Sequence, residues 1–124
     1  MLRFGILSSP LNFMKSDCNN FEILHESRMG YVSRCKHCGE IQVKIGTFYC
    51  KINEASFRGL CKEFQLRKKD FSSRTIQTPH GEHGLFAIAH RNLFLSLTEL
   101  EYLETCDMLE IAQHMYDVNE ILTP

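Results

Sequence analysis

Shifted by 45 residues, the chain lies on itself. "CKHCGEIQVKIGTFYCKINEASFRGLCKEF" (35–64) falls over "HGEHGLFAIAHRNLFLSLTELEYLETCDML" (80–109). A duplicated unit must use one set of elements twice, which restricts the fold more than composition does. The identities are sparse (Gly39/Gly84, Glu54/Glu99, Cys61/Cys106), and the shared pattern carries the inference.

In the first half Ile41, Val43 and Ile45 alternate with Gln42 and Lys44, the period of a strand. Gly46-Thr47 supplies a two-residue turn, and Phe48, Cys50 and Ile52 share one face of a second strand. Asn53 is placed to cap a helix whose apolar stripe is Phe57, Cys61 and Phe64. The second half repeats the plan. Phe86 and Ile88 fall in a strand, Arg91-Asn92 in the turn, and Leu93, Leu95 and Leu97 on one face. Thr98 with Glu101 forms a T-x-x-E capping box before the stripe Tyr102, Cys106, Leu109. Upstream, "GYVS" (30–33) matches "TIQT" (75–78), and "FEILHESRMGYVSRC" has the pattern of a hairpin around "SRMG". The expected architecture is therefore α+β. Two pseudo-symmetric halves, each strand, knuckle, hairpin and helix, form one antiparallel sheet covered by helices 54–66 and 99–117. The first 13 residues have neither period and are expected to be a disordered tail. Residues 14–124 then make a single domain, with a strand region at 14–34 and repeats at 35–66 and 80–118. A basic linker and short strand (67–79) joins the repeats.

The same register joins two pairs of metal-ligand residues. Cys35 lies on His80, Cys38 on His83, and a glycine follows each pair. Two thiolates and two imidazoles suit tetrahedral zinc, because the thiolates cancel the ion's charge and let the site be buried. A mixed thiolate–imidazole set also admits iron, with zinc favoured by tetrahedral geometry. Gly39 and Gly84 supply the backbone freedom that such a turn needs. The predicted metal ligands are thus Cys35, Cys38, His80 and His83. Four protein ligands leave no open position, so the metal would hold the fold together rather than activate water. The C-x-x-C-G element resembles the zinc knuckle of the zinc-ribbon class over about ten residues, with H-x-x-H where that class has a second C-x-x-C. The chain as a whole resembles an uncharacterised group of small bacterial proteins with such a knuckle before a hairpin and helix. That resemblance implies no function.

Other readings use neighbouring residues. Cys18 or His25 would complete the cysteine pair instead of the histidines. Cys35, Cys38 and His80 with a water would make a hydrolase- or deaminase-like site, with Glu82 of "HGE" as base, although the signature H-x-E…C-x-x-C appears here in reverse order. A redox C-x-x-C needs its first cysteine at a helix N-terminus, and a strand pattern follows this one. Cys50, Cys61 and Cys106 lie on apolar faces and fit core packing. His37 is expected to face solvent and His90 to be a strand residue.

Charge bounds the partners. The net charge is −1, which argues against a global pull toward nucleic acid or anionic lipid. A local basic patch over 58–74 (Arg58, Lys62, Arg67, Lys68, Lys69, Arg74), extended by Arg34 and Lys36, leaves nucleic-acid binding as an alternative. No apolar run reaches the length of a membrane span, and no A-x-A-like cleavage site follows the first apolar residues. A cytoplasmic location is expected, where six cysteines stay reduced. The sequence thus predicts a non-enzymatic, zinc-stabilised binding or scaffold module with a protein partner.

Overall fold

The structure, a computed structural model, describes residues 20–71, 75–87 and 94–122. The described chain enters on strand β1 (Phe21–Ser27), turns at Arg28-Met29 and returns as β2 (Gly30–Cys35). A β-bulge in β1 lies between Ile23 and His25. β3 (Ile41–Ile45) and β4 (Phe48–Ile52) follow as the expected hairpin, with Ile41, Val43 and Ile45 buried. Gly46 turns that hairpin with φ +63°, a backbone that glycine adopts freely. Helix α1 (Glu54–Leu66) starts where Asn53 Oδ1 accepts from Ser56 N at 2.8 Å. Its buried stripe is Phe57, Cys61 and Phe64.

The second half repeats the order. β5 (Thr75–Thr78), β6 (Gly81–Ala87) and β7 (Phe94–Leu97) form an antiparallel meander. Helix α2 (Glu99–Leu122) begins with a capping box: Thr98 Oγ1 accepts from Glu101 N at 3.1 Å, and Glu101 Oε1 accepts from Thr98 N at 2.9 Å. The two helices start at Glu54 and Glu99, so the offset read from the sequence holds in the structure. α2 runs past its expected end at 117, because nothing in "DVNEIL" disfavours helix before Pro124. The Arg91-Asn92 turn, Ile88 and Leu93 lie outside the described residues.

One expectation needs correction. The α+β plan of antiparallel strands covered by two helices holds, but the described strands make two sheets, β1-β2-β3-β4 and β5-β6-β7, rather than one. α2 packs on β1 and β2, on α1, and on β6 and β7, so a helix and not strand pairing links the sheets. Alternation of apolar residues fixes which face of a strand is buried but not which strands are hydrogen-bonded neighbours.

Contacts between the halves are reciprocal. Cys61 Sγ faces Leu109 O at 3.8 Å, and Cys106 Sγ faces Phe64 O at 3.6 Å. Each of these positions lies 45 residues from its counterpart. The rings of Phe57 and Tyr116 are 6.4 Å apart and tilted by 45°, while Tyr102 and Phe71, the residues at the same offset, are 5.6 Å apart and tilted by 41°. Residue i of one half meeting residue j of the other, and the reverse, is the signature of a two-fold interface. The core is this interface.

Burial also tunes the thiols that line it. It pushes the Cys61 thiol up to about 12, and it raises those of Cys106 and Cys50 and the Tyr102 hydroxyl. In the unfolded chain thiols ionise from about pH 8.5. Above that pH the unfolded state therefore holds fewer protons than the folded one, and stability falls as pH rises. The stabilisation is complete below about pH 8.5 and is lost progressively towards pH 12, by up to about 1.4 kcal/mol per pH unit for each raised thiol. Urea midpoints measured in reductant should be level at neutral pH and drop above pH 9. A midpoint unchanged to pH 11 would contradict the assignment.

Candidate metal centre

β2 ends on Cys35, and the chain reverses at once. Gly39 N donates to Cys35 O at 2.8 Å, and Cys35 N donates to Glu40 O at 2.8 Å. Within this loop Cys38 N points at Cys35 Sγ, 3.4 Å away. A backbone N–H aimed at sulfur favours negative charge on it, as a metal-bound thiolate requires. Gly39 closes the turn at φ +81°, as the sequence predicts. Cys35 is fully buried but stands apart from the main hydrophobic cluster, whereas Cys38 is exposed. Glu40 Oε1 lies 3.9 Å from Cys38 Sγ and 3.8 Å from Lys51 Nζ. His37 is exposed, as expected.

The matching segment of the second half is built differently. Thr78 Oγ1 accepts from His80 N at 3.1 Å and donates to Gly81 O at 2.8 Å, closing a two-residue turn at Pro79-His80. Strand β6 begins at Gly81, so "HGEHG" is hairpin and not knuckle. His80 is exposed in the turn, and His83 sits mid-strand opposite Ile76 with Nδ1 3.0 Å from Ser96 Oγ. Gly84 is not a turning residue. It lies in the strand, and a Cβ there would come within 2.6 Å of the Phe71 ring. Among the described residues no three His, Cys, Asp or Glu side chains are gathered in a way that would hold a metal. The thiol pair and the imidazole pair are thus carried on separate sheets.

The other candidates resolve as follows. His25 pairs with Val32, three residues from Cys35 along β2, and so lies roughly 10 Å from the knuckle. Cys18 lies outside the described residues. The described chain begins beside the knuckle, since Phe21 pairs with Cys35 and Asn20 O accepts from Lys36 N at 3.1 Å. Glu82, the base of the hydrolase-like reading, is exposed and accepts from Thr75 Oγ1 at 2.7 Å. Cys50 is half-buried against the core, Cys61 and Cys106 are inside it, and His90 lies outside the described residues.

The described basic residues of 58–74 divide between ion pairs, packing and open surface. Arg58 pairs with Glu54 at 2.8 Å and Asp117 at 2.7 Å. Arg67 donates to Leu85 O at 2.8 Å and stacks over Phe86 at 4.3 Å, which makes it part of the packing. Arg34 is buried, bonded to Glu120 at 2.6 Å, near Glu22 at 3.8 Å and over the Tyr116 ring at 4.8 Å. Lys62, Lys68 and Lys69 remain exposed, and Arg74 lies outside the described residues. The structural roles of Arg34 and Arg67 leave no mark in the sequence pattern, because each is fixed by a carbonyl, ring or carboxylate distant in the chain.

No helix among the described residues is long and apolar enough to cross a membrane. Compared with family models, curated proteins and solved structures, the chain matches none of them.

Proposed function

We propose that the chain is a small, non-enzymatic binding or scaffold module whose fold is reinforced by zinc held at the Cys35–Cys38 knuckle. The observation that carries this reading is the Cys38 N–H directed at Cys35 Sγ over a turn closed by Gly39 at φ +81°. In the proposed site both sulfurs would turn toward one ion, with the Cys38 N–H supporting charge on Cys35 Sγ. A metal there would act as a cross-link, and apparent zinc-binding energies in small metal-dependent domains are about 10–16 kcal/mol. The proposed location is the cytoplasm, where a close cysteine pair is kept reduced and able to take a metal.

His80 and His83 are the ligands that the repeat pairs with the cysteines, and Cys18 competes with them through its place two residues before Asn20. Elemental analysis of the full chain, reconstituted with zinc under reductant, separates the cases. One zinc per chain is expected, lost in Cys35→Ser and in Cys38→Ser. Loss in His80→Ala and His83→Ala assigns the fourfold set drawn from the repeat, whereas loss in Cys18→Ala alone assigns the N-terminal thiol. A chain that retains its zinc in Cys38→Ser, or never takes it up, overturns the reading.

A further inference from the structure

The outer face of α2 carries more apolar surface than a solvent-facing helix needs. Half of the large apolar side chains exposed among the described residues are on this one helix. Ile111, Met115 and Leu122 are 42%, 36% and 72% exposed, and with half-buried Val118 they fall at i, i+4, i+7 and i+11 along a single ridge. None belongs to the core, which α2 reaches with its opposite side through Tyr102, Cys106, Leu109 and Tyr116. Scattered exposed apolar residues are ordinary, but a continuous ridge on one element marks a contact surface.

Charge decides what fits there. α2 has seven Asp and Glu residues among its 24 and no Lys or Arg. Asp107, Glu110, His114 and Asp117 line the ridge next to the apolar one, and Glu110, Ile111 and Asp117 border a shallow depression of about 470 Å³. The helix already accepts guanidinium groups from its own chain: Arg28 meets Glu104 at 3.0 Å, Arg34 meets Glu120 and Arg58 meets Asp117. A second copy of α2, or an anionic membrane, would set carboxylates against like charge. We infer that the outer face of α2 docks a cationic amphipathic helix of another protein, with apolar side chains along Ile111, Met115 and Leu122 and Lys or Arg against Asp107 and Glu110. Acidic rims of this kind speed encounter and fix orientation, while the apolar ridge supplies the hold. This inference does not depend on the metal.

The test uses the full chain and two synthetic amphipathic peptides of about 18 residues, one patterned Leu/Lys and the other Leu/Glu. Calorimetry at physiological salt should show saturable one-to-one binding of the Leu/Lys peptide only. Ile111→Ser with Met115→Ser, and separately Asp107→Lys with Glu110→Lys, should each weaken it at least about tenfold with the melting temperature unchanged. Absence of saturable binding, equal binding of the Leu/Glu peptide, or indifference to the Ser pair would overturn the inference. So would concentration-dependent dimerisation of the chain that the Ser pair abolishes, since the face would then belong to a second copy.

Discussion

Tyr102→Ala is expected to cost about 4 kcal/mol, a large part of the 5–15 kcal/mol typical of a domain. Tyr102 is fully buried at the junction of the two halves. Its ring stacks on Phe86 at 4.8 Å and lies 5.6 Å from both Phe64 and Phe71. Its hydroxyl donates to Phe64 O, one of the last carbonyls of α1 and therefore without a partner inside that helix. Truncation leaves a cavity among three rigid rings that cannot collapse into it. For a chain of this length the melting temperature should fall by roughly 15 °C. Tyr102→Phe keeps the stack and removes one hydrogen bond, for about 1 kcal/mol. Phe64 O retains its contact from Cys106 Sγ, which limits the loss. Thermal melts of the two variants test the ranking. Equal losses would mean that the hydroxyl, and not the aromatic stack, holds the halves together.

Gly30→Ala should be nearly as damaging, at about 3 kcal/mol, for a different reason. A Cβ at Gly30 would stand 1.8 Å from Lys44 O and 2.6 Å from Lys44 C. These are backbone atoms of the neighbouring strand, so the overlap cannot be relieved by a rotamer change. Gly30 pairs with Ser27 on one side and Ile45 on the other, and moving it disturbs both ladders of the central strand. The turn glycine Gly39 makes the contrast. Its φ of +81° penalises a side chain by about 1–2 kcal/mol, yet nothing lies within 4 Å of the added methyl. Denaturant titration of Gly30→Ala and Gly39→Ala should reveal that order. Both glycines have a positive φ, +154° at Gly30 and +81° at Gly39, so the reverse order would show that the strand yields to the added methyl.

Local pattern made some of this structure legible beforehand. Helix starts are written in short-range chemistry, so Asn53 and the Thr98–Glu101 box located Glu54 and Glu99 correctly. The stripes Phe57-Cys61-Phe64 and Tyr102-Cys106-Leu109 identified the buried faces, because 3.6-residue periodicity determines them. The division into two sheets was not legible. It depends on which strands lie beside α2, and strand alternation does not encode that choice. The site was half legible. The bend after Cys35 follows from C-x-x-C-G, and the structure bears out Gly39. The bend expected after His83 does not form, because Thr78 closes its hairpin first and carries Gly84 into a strand. The two spacings share a register 45 residues apart, but the local backbone around them differs.

The mirrored contacts of Cys61 with Leu109 and of Cys106 with Phe64 have a consequence for assembly. They are the contacts that two identical polypeptides would make on associating, here joined by a tether. Fusion replaces a concentration-dependent encounter with an intramolecular one, at effective concentrations in the millimolar range or above. It also frees each copy to vary alone, whereas in a homodimer every substitution appears twice. One copy bears sulfur at 35 and 38, and the other bears nitrogen at 80 and 83. A homodimer of either copy could never have held that asymmetry.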